Sequence, residues 1–397
     1  MSGGGLMAAC RAAVAAGWLG LTTWVANAET ATLPPPPVGL SQVHGFQDWV
    51  VACDNVRRCE AQGYHAEGGE DPPVMLRLRR EAGPATPVRL SMVWGDVAED
   101  PRQGPPQPRA GAPLTLKAGA WSFTLTVPAK HKEGDDVPIP DGQVTPLLAA
   151  LRSQADALLV TQGSQRWRIS LKGASAALLK MDDLQGRVST VGALVRPGSQ
   201  PEDRVPAASA LPQVEAVRVP ATLPSNVGGL RASLLKAVLA LPAVGERCDR
   251  MDKDNLDTAE LLRSMEVWPL SDSQVLVSMP CWMAAYNAGS AAWVAQVKPP
   301  HAVKAVRFAG LPTSGPSKTP RQWNWDNDAP GLELKRQDDG VLMASGSAKG
   351  RGIGDCFSAA RWAWNGQAFA LVESTESACK LFSAGGEPLR LWRAQVR

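Results

Sequence analysis

Alternation of apolar and polar positions dominates this chain, and helical spacing interrupts it in three places. Residues 46–52 form a run that suits a strand, and 74–80, 88–94 and 121–127 alternate with period two. The period then changes. Leu147, Leu148, Leu151, Ala155, Leu158 and Leu159 recur at helical spacing, with Thr145 as the expected N-cap and Pro146 at the first helical position. Residues 166–173 return to alternation, with Trp167, Ile169 and Leu171 on one face. Ala177, Leu178, Met181, Leu184 and Val188 then mark a second helix, weakened by Gly186. An antiparallel sheet with two helices laid on it fits this order.

The second half opens with a helix over 228–240, where Leu230, Leu234, Val238 and Leu241 share one side and Pro242 ends it. Strand signals follow. Residues 266–270 and 274–279 flank Ser271-Asp272-Ser273 as a hairpin, and 293–297, 303–308, 332–336 and 341–345 read as further strands. Asn365-Gly366 supplies both positive-φ positions of a type I′ turn. A two-residue loop there sets Trp364 opposite Gln367 and Trp362 opposite Phe369, placing Trp362, Trp364, Phe369 and Leu371 on one face.

Proline divides the chain. Residues 33–38 read as an extended arm, 99–113 as a long surface loop and 196–226 as a Pro-rich linker. The expected fold class is therefore α+β, with two domains, each mainly antiparallel sheet with one or two packed helices. The N-terminal α+β domain spans 40–195 and the C-terminal, mainly-β domain spans 227–397. Residues 1–28 read as a secretory signal peptide: the apolar stretch 12–25 is about 14 residues, short of the roughly 18–20 that span a bilayer, and Ala26-Asn27-Ala28 is a cleavage site. No later segment is apolar and long enough to cross a membrane. Cleavage removes Arg11 and no acidic residue, which lowers the formal net charge of +3 by one. So small a balance argues against nucleic acid as a partner.

Of seven cysteines, Cys53, Cys59, Cys248, Cys281, Cys356 and Cys379 remain after the leader. Six thiols allow 15 pairings, and spacing alone does not choose among them. The simplest closures join near neighbours: Cys53–Cys59, Cys248–Cys281 and Cys356–Cys379. Each later bond is expected to contribute roughly 3 kcal/mol through loop-closure entropy. An even, closely paired set reads as a disulfide framework and a periplasmic or secreted location.

Several segments resemble a proteobacterial family catalogued as domain of unknown function 1176: FQDWVVACDNVRRCEAQGY from Phe46, PCWMAAYN from Pro280, GRGIGDC from Gly350, RWAWNGQAFALVE from Arg361 and LWRAQV from Leu391. The pattern is broken at Phe357, Ala284 and Lys380-Leu381, where the resemblance implies Gly, Gly and Arg-Gly. More weakly, Phe46-x-Asp48-Trp49-x-x-x-Cys53 and SLKGASAAL from Ser170 resemble the invasion-associated locus B proteins. These likenesses imply compartment, disulfides and fold, and bring no catalytic residue.

Candidate chemistry is sparse. Of 14 tryptophans, eight follow the linker, and Trp323-x-Trp325 and Trp362-x-Trp364 each set two indoles on one strand face. Such a platform stacks on sugar rings. Phe369 and Leu371 share the face of the second pair and favour core there. Polar neighbours make Trp323 and Trp325, with Asp326 and Asp328, the candidate ligand-binding residues. Asp249, Asp252, Asp254, Asp257 and Glu260 miss the EF-hand spacing and its glycine, and His/Cys metal spacing is missing, so neither metal nor cofactor is expected. Gly350, Gly352 and Gly354 read as a turn-forming loop that feeds Asp355-Cys356. Ser233-x-x-Lys236, Ser271-Asp272-Ser273 and Lys318-Thr319-Pro320 mimic the motifs of penicillin-recognising enzymes, but Pro320 stands where a glycine must let the strand approach substrate. The four histidines lie without a nucleophile elbow. The expected function is a non-catalytic, envelope-associated binding or interaction module, with an envelope protein or glycan as partner. The alternative is a hydrolase acting on cell-wall or glycan material.

Overall fold

The computed structural model describes residues 39–66, 68, 71–97, 104–153, 155–224, 229–242, 244–311 and 328–397. All of them fall within one compact unit. The leader reading, 1–28, lies outside the described residues. The architecture is α+β, with mainly antiparallel sheets, few helices and three formed disulfides, Cys53–Cys59, Cys248–Cys281 and Cys356–Cys379.

The first sheet is a meander of Val43–Phe46, Trp49–Cys53, Cys59–Tyr64, Val74–Arg80 and Val88–Trp94, with Val137–Pro138 beside the last strand. The run 46–52, expected as one strand, is the turn and second arm of a hairpin. Gln47 adopts φ 54° and reverses the chain, so Phe46 pairs with Trp49. A second sheet stacks on the first, in the order Gln165–Ser170, Ala157–Gln162, Pro113–Ala118, Trp121–Thr126. The helix expected over 145–159 is shorter and earlier: it runs Asp141–Leu151 after Pro140, and Leu158 belongs to a strand. Leu147 and Leu151 bury from the helix while Leu158 and Val160 bury from the strand, and short apolar runs satisfy either period.

Trp49, Leu76, Met92, Leu116, Leu147, Trp167 and Leu178 meet in one core drawn wholly from residues 40–195. The helix Ala174–Gln185 seals it. Gly186, at φ 71°, ends that helix as a left-handed cap, and Val188 lies beyond it.

A third sheet contains Glu266–Pro269, Gln274–Met283 and Ala288–Gln296, with Val303–Ala305 and Asp328–Pro330 both pairing the last. Leu234, Val238 and Leu261 pack onto it from the helices Leu230–Leu239 and Thr258–Ser264. The acidic cluster after Cys248 has local roles: Asp257 caps the second helix by accepting from Glu260 N–H, and Glu260 pairs with Arg250 at 2.6 Å. The fourth sheet runs Glu333–Arg336, Leu342–Lys349, Phe357–Trp364, Phe369–Glu376, Leu389–Arg393. Residues 213–219 are stitched to its strands and to the chain end beyond them. Gln213–Val214 pairs in parallel with Gln395–Val396, and the Val217 and Val219 N–H groups donate to Trp364 O and Gly340 O, both at 2.9 Å.

At Asn365 the observed pairs are Trp364 with Phe369 and Trp362 with Leu371, two residues from the expected register. The Asn365 side chain accepts from Gln367 and Ala368 N–H, which lengthens the loop to four residues. A shift of two preserves the face. Trp362, Trp364, Phe369 and Leu371 are all buried there, with Phe308 stacked on Phe369 at 5.0 Å.

The other face of the first sheet, through Val50, Tyr64, Met75 and Val93, packs on Phe382, Leu389 and Leu391. Asn55 reinforces this contact. Its carboxamide donates to Arg393 O at 3.0 Å and accepts from Arg393 N–H at 2.9 Å, replacing a strand partner. Beside it, Asp54 accepts from Val56 and Arg58 N–H and lies 2.8 Å from Arg393 Nε. Burial pushes the Asp54 carboxyl above its ordinary range, and Arg393 opposes that shift.

Candidate functional site

Two of the sequence blocks singled out above meet in space. The block PCWMAAYN forms the tip of the hairpin Gln274–Met283 and Ala288–Gln296, whose turn closes through Ala284 N–H to Asn287 O at 2.7 Å. Cys281 faces inward and bonds Cys248. Trp282 lies flat on Gly289, where an added Cβ would stand 2.3 Å from the indole, and its Nε1 donates to Asp328 at 2.7 Å. The second block, GRGIGDC, bridges Leu342–Lys349 and Phe357–Trp364.

Asn287 joins the two blocks. It donates to Lys349 O at 2.9 Å and accepts from Lys349 N–H at 2.8 Å, as Asn55 does with Arg393. A carboxamide presents a donor and an acceptor side by side, as this pairing requires. Tyr286 adds a hydroxyl bond to Gly350 O at 3.2 Å, and its ring lies 3.9 Å from the space a Cβ on Gly352 would fill.

Asp355 holds the loop from within. It is 2 % exposed, accepts from both Arg351 Nε (2.6 Å) and Arg351 Nη2, and accepts from Leu381 N–H at 2.7 Å. With Cys356–Cys379 this locks the loop to residues 379–386. That segment is fixed in turn to the first sheet: Phe382 meets Tyr64 edge-on at 5.4 Å, Ala384 N–H donates to Asp96 at 2.7 Å, and Lys380 Nζ donates to Gln47 O at 2.7 Å.

What this frame presents outward is apolar. Met283 is 61 % exposed, Tyr286 47 % and Ile353 49 %. They are three of the few large hydrophobic side chains on the described surface, and two adjoining loops carry them.

The family described as "Protein of unknown function (DUF1176)" matches residues 43–395. The chain belongs to this family. A relative in Escherichia coli (strain K12), "Uncharacterized protein YpfG", is 29% identical over 348 residues, covering 84% of this chain and 88% of its own length. The solved structure of invasion associated protein B from Bartonella henselae is similar at 15% identity and a TM-score of 0.24, covering 36% of this chain and 99% of its own.

In this DUF1176 chain, the breaks in the expected motif have structural counterparts. Phe357, standing where glycine is implied, faces Gly386, where an added Cβ would meet the ring at 2.4 Å. Leu381, also at an implied glycine, adopts φ 49°. A branched side chain in the left-handed region costs about 1–2 kcal/mol. Leu381→Gly is therefore expected to stabilise the chain by about 1 kcal/mol, read as a higher urea midpoint with an unchanged slope.

Of the residues first proposed for ligand binding, Trp323, Trp325 and Asp326 lie outside the described residues, and Asp328 is bound by Trp282. Trp362 and Trp364 are core. Ser233 and Lys236 are both exposed on the helix Leu230–Leu239, and Ser271 serves the turn by accepting from Gln274 N–H at 3.1 Å. Lys318-Thr319-Pro320 lies outside the described residues. Met283, Tyr286, Asn287, Lys349 and Ile353 received no role from sequence. The available signal was the twelve-residue run 280–291, which contains no Asp, Glu, Lys, Arg or His yet ends a strand hairpin.

Proposed function

We propose that this protein is an exported, non-catalytic module, periplasmic or secreted, that engages a partner in the cell envelope through the surface formed by residues 283–287 and 349–353. The observation that carries the reading is the exposure of Met283, Tyr286 and Ile353 on loops pinned by two disulfides and by Asn287. Exposed apolar side chains held rigidly have already met the ordering cost of association. Export is supported by three formed disulfides and by the leader-like residues 1–28. No helix among the described residues is long and apolar enough to cross a membrane. Division into domains 40–195 and 227–397, joined through 196–226, is supported by one core drawn from 40–195 and another drawn from 230–303, while Val50, Tyr64, Met75 and Val93 share a further core with Phe382, Leu389 and Leu391.

A hydrolase of cell-wall or glycan material needs two available carboxylates about 5–10 Å apart. Asp355 is buried under Arg351, and Asp328 is held by Trp282. Those commitments favour the interaction reading.

A photo-crosslinking side chain placed at 286 or 353 in the exported chain is expected to give a discrete adduct in the producing cell. The same group at Val191, 60 % exposed on a different loop, is expected to give none. Equal, diffuse labelling at all three positions would overturn the proposal.

A further inference from the structure

The size and charge of this surface point to one class of partner. Met283 ends the first strand of the hairpin, Tyr286 lies in its turn, and Ile353 lies in the loop docked against that turn. A standard protein–protein interface takes about 800 Å² and some 20–30 residues from each partner. Three side chains supply a small part of that. A lipid bilayer sets no such minimum, because it needs neither shape complementarity nor paired hydrogen bonds from its apolar layer.

Charge agrees. The run 280–291 carries no ionisable acid or base apart from Tyr286 and the bonded Cys281. Residues 346–356 carry Lys349, Arg351 and Asp355. Asp355 is 2 % exposed and tied to Arg351, whereas Lys349 is exposed. The charge these two segments show to solvent is therefore positive, as attraction to anionic head groups requires. Tyr286 fits the boundary layer. Its hydroxyl already donates to Gly350 O, so the ring enters an apolar layer without leaving a donor unpaired.

Resting on the interaction reading above, we propose that Met283, Tyr286 and Ile353 dip into the interfacial layer of an anionic lipid bilayer, with Lys349 and Arg351 beside the head groups. The Cys248–Cys281 and Cys356–Cys379 disulfides and the Asn287–Lys349 pair hold the two loops in the inserting arrangement before contact, so membrane binding needs no refolding.

The test is flotation of the purified, oxidised full chain with vesicles of phosphatidylcholine alone or of phosphatidylcholine with one quarter phosphatidylglycerol. At least five-fold more protein is expected to float with the anionic vesicles, and 0.5 M salt is expected to erase most of that difference. Met283→Asp with Ile353→Asp is expected to lower flotation ten-fold at an unchanged urea midpoint, since both positions are exposed. Lys349→Glu is expected to lower it about three-fold on anionic vesicles only. No flotation of the native chain, equal flotation on both vesicle types, or full flotation of the double aspartate variant would each overturn the lipid assignment. A protein adduct at 353 together with failed flotation overturns the lipid and leaves the interaction reading standing. Failure of both experiments removes both.

Discussion

Substituting Gly173 by alanine is expected to cost at least about 4 kcal/mol of folding stability, a loss reached by few single substitutions. Two independent penalties meet at this residue. Its φ of +94° lies where L side chains rarely go. An added Cβ would also stand 1.8 Å from Phe46 O and 2.7 Å from the Phe46 carbonyl carbon. Neither obstacle is the movable end of a side chain. Phe46 is fixed by its pairing with Trp49 in the hairpin. The hairpin is fixed to the 170–173 turn by Asp48 N–H to Lys172 O at 3.3 Å and by Trp49 Nε1 to Ser170 O at 2.8 Å. Relief would require the two turns to separate, and that would draw the fully buried Trp49 out of the core. Phe46-x-Asp48-Trp49 and SLKGASAAL, over a hundred residues apart in the sequence, thus form one contact. Urea denaturation followed by tryptophan fluorescence measures the effect, with Gly45→Ala as the control. Nothing lies within 4 Å of a Cβ at Gly45, so that variant should stay within about 0.5 kcal/mol of the native chain. A loss under about 1 kcal/mol for Gly173→Ala would mean that the turns are not locked together.

Period two was legible at 74–80 and 88–94, which match the observed Val74–Arg80 and Val88–Trp94, although both faces of these strands are buried. Tertiary contacts decided what the pattern left open. Gln47 is no turn former by composition, yet it takes a positive φ where Lys380 Nζ caps its carbonyl and Asp48 N–H reaches Lys172. Leu158 satisfied the helical spacing from Leu147 and Leu151, but pairing with a neighbouring strand claimed it. Near-neighbour thiol pairing was the simplest of the 15 pairings, and it is the one formed. The exposed loop cluster stayed hidden for a different reason. Asn287 and Lys349 are 62 residues apart, and side-chain bonds from Asn287 and Tyr286 bring their blocks together. Tryptophan content drew attention to stacking platforms, while the described indoles Trp49, Trp167, Trp293, Trp362 and Trp392 fill cores, as bulky apolar groups ordinarily do.

Arg77→Ala is the second substitution with a large expected effect, a loss of about 3–5 kcal/mol. Arg77 lies on a middle strand of the first sheet with its side chain only 7% exposed. Its guanidinium meets three carboxylates: Glu60 at 3.1 Å, Asp136 at 2.5 Å and Glu387. Glu60 is also bound by Arg79 at 2.8 Å and by Gln62 Nε2 at 2.7 Å, and Arg79 reaches Asp136 at 3.1 Å. Truncating Arg77 leaves Arg79 to serve the first two acids. The Glu387 carboxylate then has no ion-pair partner among the described residues, while Gln62 Nε2 still donates to the Glu387 backbone carbonyl at 3.4 Å. Breaking a buried pair from one side strands a charge in a low-dielectric site, and such losses run to about 3–5 kcal/mol. Replacing both partners avoids that penalty, so Arg77→Met with Glu387→Gln should lose less than Arg77→Ala alone. The cycle built from these variants should give a coupling energy above about 1 kcal/mol. Additive losses across the cycle would remove Glu387 from the network. Because Glu387 follows directly on the 379–386 segment that locks the Asp355 loop, the loss should also be local. Amide exchange at Leu381 and Ala384, whose N–H groups are held by Asp355 and Asp96, is expected to quicken in Arg77→Ala ahead of the amides of Met92 and Val93. Uniform quickening across both sets would place Arg77 in the stability of the whole sheet, and its link to the loop would then fail.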